Sequence, residues 1–126
     1  MVIGIGIDTV DVLSFRRRLD DRLIEELFLP AETEYCRTQV RYWENFAARF
    51  AAKEATFKAL GSGLSSGLRF RDVEIVRRME TGSISLKLYG KALMIQNERK
   101  IDKILVSVSH TEKNAIAIVI AEGKSV

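Results

Sequence analysis

Cysteine, histidine and proline each occur once in this sequence of 126 residues. Cys36 alone can form no internal disulfide. With His110 as the one imidazole and no Cys-x-x-Cys, a structural zinc site has no ligand set. Cys36 therefore reads as a small buried side chain, and low cysteine usage fits a reducing compartment. No apolar run approaches the ~20 residues of a membrane helix. The opening Met-Val-Ile-Gly-Ile-Gly-Ile-Asp has neither the basic flank nor the cleavage site of a signal peptide. These absences lead to the expectation of a cytoplasmic protein with no membrane association. Repeats, low-complexity tracts and linkers are missing too, so residues 1–126 are expected to form a single domain, with a length sufficient for a real core. Charge is only mildly unbalanced, with 20 Lys+Arg against 17 Asp+Glu and a net +3. That excess favours anionic ligands or acidic proteins without naming one.

What is present is a mixed α+β pattern. Residues 2–10 alternate, with Ile3, Ile5 and Ile7 on one face and Gly4, Gly6 and Asp8 on the other. This predicts a buried strand whose second face is bare backbone ending in a carboxylate. Asp11 or Ser14 can cap a helix over 13–29, which carries Arg16, Arg17, Arg18 and Arg22; Pro30 ends it and can open another. Trp43, Phe46, Ala47, Phe50 and Phe57 recur at helical spacing over 42–60. The glycine-serine stretch Gly61–Gly67 ends that helix. Strands are predicted at 72–77, 83–88, 103–110 and 114–121, with turns at Gly82 and Thr111–Lys113 and a helix over 89–99.

The informative residues are charges where packing favours apolar groups. Glu54 falls among Ala47, Phe50 and Phe57. Burying a lone carboxylate costs several kcal/mol, so such a group is paired, protonated or metal-bound. An i,i+4 salt bridge to Lys58 accounts for it equally well. Asp8 by itself reads as a cap for the segment that follows. Together, Asp8 and Glu54 are hard oxygen ligands of the kind Mg²⁺ takes alongside substrate phosphates and waters. Lys58 lies one turn beyond Glu54, and Lys53 and Arg49 share a neighbouring face. Cations beside a metal-binding carboxylate fit a polyphosphate, although for Lys53 an ordinary solvated helix face is the plainer reading. The Gly61–Gly67 loop offers backbone N–H groups to a phosphate, but it is no Walker loop, and most such stretches are flexible caps. His110 ends a strand, where a structural role is the commoner one. With no Gly-x-Ser-x-Gly elbow, a serine hydrolase is disfavoured, and an imidazole donor to phosphate or ribose fits the other residues better.

Three blocks then resemble a known family. Gly4-Ile-Gly-Ile-Asp8, Arg49-Phe-Ala-Ala-Lys-Glu-Ala-Thr-Phe-Lys-Ala-Leu-Gly61 and Val106-Ser-Val-Ser-His110 are similar, in order and over essentially the whole chain, to the signature blocks of the 4′-phosphopantetheinyl transferases of the holo-[acyl-carrier-protein] synthase type. Leu88-Tyr-Gly-Lys-Ala92 and Ala115-Ile-Ala-Ile-Val119 add to the likeness. Gly82-Ser83-Ile84 departs from it, since the family usually has Gly-x-Pro there. The resemblance implies a small α+β domain with an antiparallel sheet packed against a long core helix. It also implies that coenzyme A donates its 4′-phosphopantetheine arm to a serine of an acyl carrier protein, for fatty acid biosynthesis, releasing adenosine 3′,5′-bisphosphate. Asp8 and Glu54 would hold Mg²⁺, and Lys58 would neutralise developing charge. Glu54 or a metal-bound water would act as base. Arg49, Lys58, Gly61, Ser62, Gly63 and His110 would hold the nucleotide.

The acyl carrier protein of this family is acidic, so Arg16, Arg17, Arg18 and Arg22 beside Phe15 form the implied docking helix; without the resemblance they read as a solvated face. The family's homotrimer, with active sites between subunits, is a further implication. An alanine-rich last strand (Ala115, Ala117, Ala121) is the expected contact. Two alternatives are a basic RNA- or protein-binding module and an Mg²⁺-dependent phosphohydrolase. The first needs aromatics interleaved with the arginines. Here the aromatics lie on a core stripe, which argues against nucleic acid.

Overall fold

The structure is a computed structural model and describes residues 1–124. Strand β1 spans Val2–Asp11 and leads directly into α1 (Val12–Arg18). Helices α2 (Asp21–Leu27), α3 (Pro30–Arg37) and the long α4 (Tyr42–Leu60) follow. A hairpin of β2 (Val73–Arg77) and β3 (Ile84–Leu88) precedes α5 (Gly90–Glu98). Strands β4 (Ile101–His110) and β5 (Asn114–Gly123) complete the order. Strands β1, β5 and β4 form one antiparallel sheet with β5 in the middle, and β2–β3 a second, two-stranded sheet. This is the small α+β domain expected, with α4 laid across the inner face of the three-stranded sheet.

The segment expected as one helix over 13–29 is two. Leu19 is extended, and the Asp20 carboxylate accepts from the Leu23 N–H at 2.8 Å, starting α2 anew. Asp11 caps α1 by accepting from the Ser14 N–H at 2.9 Å, which also holds its carboxyl below the usual range. The arginine run is thereby divided, with Arg16–Arg18 on α1 and Arg22 on α2.

The faces of β1 are the reverse of those expected. Ile5 and Ile7 are 61% and 55% exposed. The glycine face is the covered one: a Cβ on Gly4 or Gly6 would collide with the backbone carbonyls of Ala59 and Ala55. The strand lies flat on α4 because those two positions have no side chain. Ala115, Ala117, Val119 and Ala121 of β5 fill the rest of that inner face and are fully buried. The alanine-rich face of the last strand therefore contacts this chain's own helix.

Buried residues gather around each half of α4. The C-terminal half packs with Val73, Ile75, Leu88 and Ile95. The N-terminal half packs with Val12, Phe15, Ile24, Leu27, Phe28 and the buried thiol of Cys36, whose pKa burial pushes up to about 11. Phe15, Phe50, Phe70 and Phe57 form a chain of tilted rings with centroids 5.3–5.4 Å apart. Phe15 is thus a core residue, and the arginines beside it stand exposed without it.

Candidate active site

The close seating of β1 on α4 decides what faces what. Asp8 continues the glycine face of β1, and its side chain is largely buried where it meets α4. Glu54 projects from α4 into the same seam. Its carboxyl is raised above the usual range, first by burial and then by the Asp8 charge, with Lys58 opposing. Lys58 does not make the i,i+4 bridge to Glu54. Its Nζ donates to the Ile7 carbonyl at 2.9 Å and to Asp8 Oδ1 at 3.1 Å. Among the described residues Glu54 has no hydrogen-bond or ion-pair partner, and no cluster of three or more metal-ligating side chains occurs. The seam therefore holds two carboxylates and a lysine whose ammonium has used two of its three N–H groups.

The loop beyond Lys58 is built differently from the expectation. Gly61 has φ 74°, the left-handed cap that glycine adopts readily. Its N–H goes to the Lys58 carbonyl at 3.1 Å and that of Ser62 to the Phe57 carbonyl at 3.1 Å, while the Gly63 N–H goes to Ser66 Oγ at 3.2 Å. These three N–H groups are consumed in closing the helix and the loop, so what Ser62 has left to offer a phosphate is its hydroxyl. Arg99, which the sequence did not single out, ties this end together by donating to the Ala59 carbonyl at 3.2 Å and the Ile3 carbonyl at 3.3 Å.

Lys53 and Arg49 are not on a solvated face. Lys53 is 0% exposed. It donates to Glu32 Oε1 at 2.8 Å and to the carbonyls of Phe70 and Val73 at 3.1 and 2.6 Å. Burial depresses its pKa, with Glu32 opposing. Glu32 in turn accepts from the Leu29 and Ile75 N–H groups at 2.8 and 2.9 Å. This satisfied buried pair clamps α3, α4 and β2 together. Arg49 is nearly buried, with its guanidinium 4.7 Å from the Tyr35 ring centroid. It lines a cleft with Tyr35, Thr38 and Arg77, away from the Asp8–Glu54 seam.

His110 also lies apart from the seam. It reaches Glu44 near the start of α4, with Nδ1 2.9 Å from Oε1. Glu44 and Glu54 are ten residues apart on one helix, about 15 Å along its axis. Glu44 is a second residue the sequence did not single out, because its partner comes from β4. The arginines of α1 include Arg16, whose guanidinium lies 3.6 Å over the Trp43 ring, and Arg17, which donates to Ser14 Oγ at 3.2 Å.

The molecule is thus a small α+β domain with an acidic pair and a lysine at one strand–helix seam. The family model of the 4′-phosphopantetheinyl transferase superfamily matches residues 4–119, and the chain belongs to that family. The holo-[acyl-carrier-protein] synthase of Geobacter sulfurreducens is 43% identical over 125 residues, covering 97% of this chain and 98% of that one. The crystal structure of holo-[acyl-carrier-protein] synthase from Neisseria meningitidis superposes with a TM-score of 0.85 at 30% identity, covering 97% of this chain and 99% of that one. That of the Bacillus anthracis enzyme, in complex with coenzyme A (3′,5′-ADP), gives 0.81 at 28% identity, covering 98% of this chain and 99% of that one. Within the superfamily, then, the chain is an enzyme, a transferase of the holo-[acyl-carrier-protein] synthase type.

Proposed function

We propose that the enzyme transfers 4′-phosphopantetheine from coenzyme A to a serine hydroxyl of apo acyl carrier protein and releases adenosine 3′,5′-bisphosphate. It would do so in the cytoplasm, in support of fatty acid biosynthesis. The observation that carries the reading is the Asp8–Glu54–Lys58 seam. Among the described residues Glu54 is left partly buried and without a partner, and its proton affinity is raised by burial and by Asp8. A cation relieves that strain, and a two-carboxylate donor set suits Mg²⁺, which fills its remaining positions with phosphate and water. Bound there, Mg²⁺ supplies charge neutralisation to the pyrophosphate of coenzyme A. Asp8 and Glu54 are its proposed ligands. Lys58 has an N–H free for a phosphate oxygen and is half exposed to reach one. The serine proton would go to Glu54 or to a water held at the same site.

Arg49, His110 and Ser62 of the Gly61–Gly63 loop are proposed to hold the nucleotide end. Arg49 and His110 stand away from the seam of their own chain, so one molecule does not assemble the whole set. That supports a homotrimer with active sites between subunits. The isoleucine face of the sheet supplies the contact: Ile5, Ile7, Ile116, Ile118 and Leu105 are all exposed on its outer side. The coenzyme A complex of the Bacillus anthracis relative supports the donor. The exposed arginines of α1 and α2 suit an acidic carrier. Against an RNA-binding module, Phe46 and Phe57 are buried and Phe50 packs among core rings.

The test is to incubate the protein with Mg²⁺, coenzyme A and an apo acyl carrier protein and weigh the carrier by mass spectrometry. A phosphopantetheine gain is expected, and none in chelator. An unmodified carrier with coenzyme A cleaved would instead identify a phosphohydrolase.

A further inference from the structure

Glu44 is a buried carboxylate in the first turn of α4, and both its oxygens are engaged. Oε1 lies 2.9 Å from His110 Nδ1 and Oε2 lies 3.4 Å from the Arg41 guanidinium. We propose that Glu44 is the positioning residue for His110: it keeps the proton on Nδ1 and thereby makes Nε2 the nitrogen presented to the nucleotide. The inference rests on the reading of His110 as a nucleotide contact.

A carboxylate oxygen only accepts, so at 2.9 Å Nδ1 must be the donating nitrogen. The imidazole has one other polar atom, Nε2, which has no hydrogen-bond partner among the described residues. The ring is 36% exposed and its partner 5%. One side of the imidazole is therefore fixed to the protein and the other is open. The fixing partner is itself held. Glu44 sits on α4, near the N-terminal end, where a negative charge is favoured, and the Phe46 and Ala47 that follow are fully buried. His110 closes β4 opposite Ala115, whose side chain is also buried. The two residues come from elements 66 positions apart in the chain, so their contact is set by the packing of α4 on the sheet. An imidazole free to spin about its Cβ–Cγ bond would present either nitrogen or the ring carbons, and Glu44 removes that freedom.

Because the chain has a single histidine, its ring nitrogens give an isolated pair of ¹⁵N resonances. In the wild type the neutral ring is expected to show Nδ1 protonated and Nε2 bare. Glu44→Gln is expected to move the population toward Nε2–H and to raise the KM for coenzyme A several-fold, with a smaller change in kcat. Glu44→Asp, which keeps the charge on a shorter arm, should recover part of both. His110→Ala should raise KM at least as much as Glu44→Gln, and the double variant should be no worse than His110→Ala alone. An Nε2–H tautomer in the wild type would overturn the proposal. So would a Glu44→Gln enzyme with normal KM beside a His110→Ala enzyme with raised KM. If His110→Ala leaves KM unchanged while Glu44→Gln shifts the tautomer, the pair exists but serves the fold. That result overturns the proposal through its premise and is told apart by the resonances.

Discussion

Glu54 and Lys53 are neighbours in sequence with opposite fates. Lys53 turns into the core, where Glu32 and two carbonyls saturate it. Glu54 turns to the seam and keeps no partner among the described residues. Removing Lys53 leaves Glu32 buried and uncompensated, so Lys53→Ala is expected to cost about 3–5 kcal/mol in denaturant unfolding. Glu54 makes a pH prediction. Its raised pKa means that the folded, metal-free protein binds this proton more tightly than the unfolded chain does. Its contribution to stability is full below the ordinary glutamate value and is lost as pH rises through the raised one. Mg²⁺ competes with the same proton, so its affinity should climb with pH over that window. Calorimetry of Mg²⁺ binding against pH should show the climb in the wild type and its loss in Glu54→Gln. At this scale the sequence was most legible where a charge broke an apolar stripe, as at Glu54 and Asp8. It was silent on Glu32 and Glu44, whose partners arrive from other elements, and so it took Lys53 for a surface residue.

Among the elements, the long helix, the hairpin at Gly82 and the last two strands were readable from periodicity and turn residues. Two readings failed for physical reasons. A single helix over 13–29 overlooked Asp20, whose side-chain cap restarts the chain after an extended Leu19. Hydrophobicity points to the isoleucines as the buried face of β1, whereas the glycines are the ones covered by helix backbone. The same seating makes Gly6→Ala a test of the seam: the strand must lift from α4 and carry Asp8 away from Glu54. A loss of transfer activity well beyond the loss of thermal stability is expected. The split leaves Arg16, Arg17 and Arg18 exposed together on α1, while Arg22 stands on α2 beside the exposed Asp21, Glu25 and Glu26; charge steering by such arginines acts on association and weakens in salt. In the variant Arg16→Glu with Arg22→Glu, the KM for the carrier protein should rise far more than that for coenzyme A. Equal rises would remove the docking assignment.

For the whole molecule, the outer face of the three-stranded sheet is the feature a lone chain does not explain. Ile7 of β1 pairs with Ile118 of β5 and Ile5 with Ile120, and with the exposed Ile116 they make an apolar patch of the kind that marks an interface. The alanine stripe proposed for that contact is occupied by α4. The reading of a trimer came from family likeness, and the surface that fits it is the isoleucine one. Ile118→Arg is expected to give a folded monomer by sedimentation with little transfer activity, because Arg49 and His110 would no longer meet a neighbour's seam. A stable wild-type monomer with full activity would contradict the shared site.

At the centre of the proposed transfer, Asp8 and Glu54 act together at that seam. The decisive measurement is kcat for carrier modification, followed by intact mass at saturating coenzyme A, carrier and Mg²⁺, in Asp8→Ala, Glu54→Ala and the double variant. Each single variant is expected to lose about 10²–10³-fold or more, the scale of removing one electrostatic contact to the transition state. The double variant should lose little beyond that, since either change dismantles the same metal site. A folded Asp8→Ala enzyme with near-wild-type kcat would contradict it.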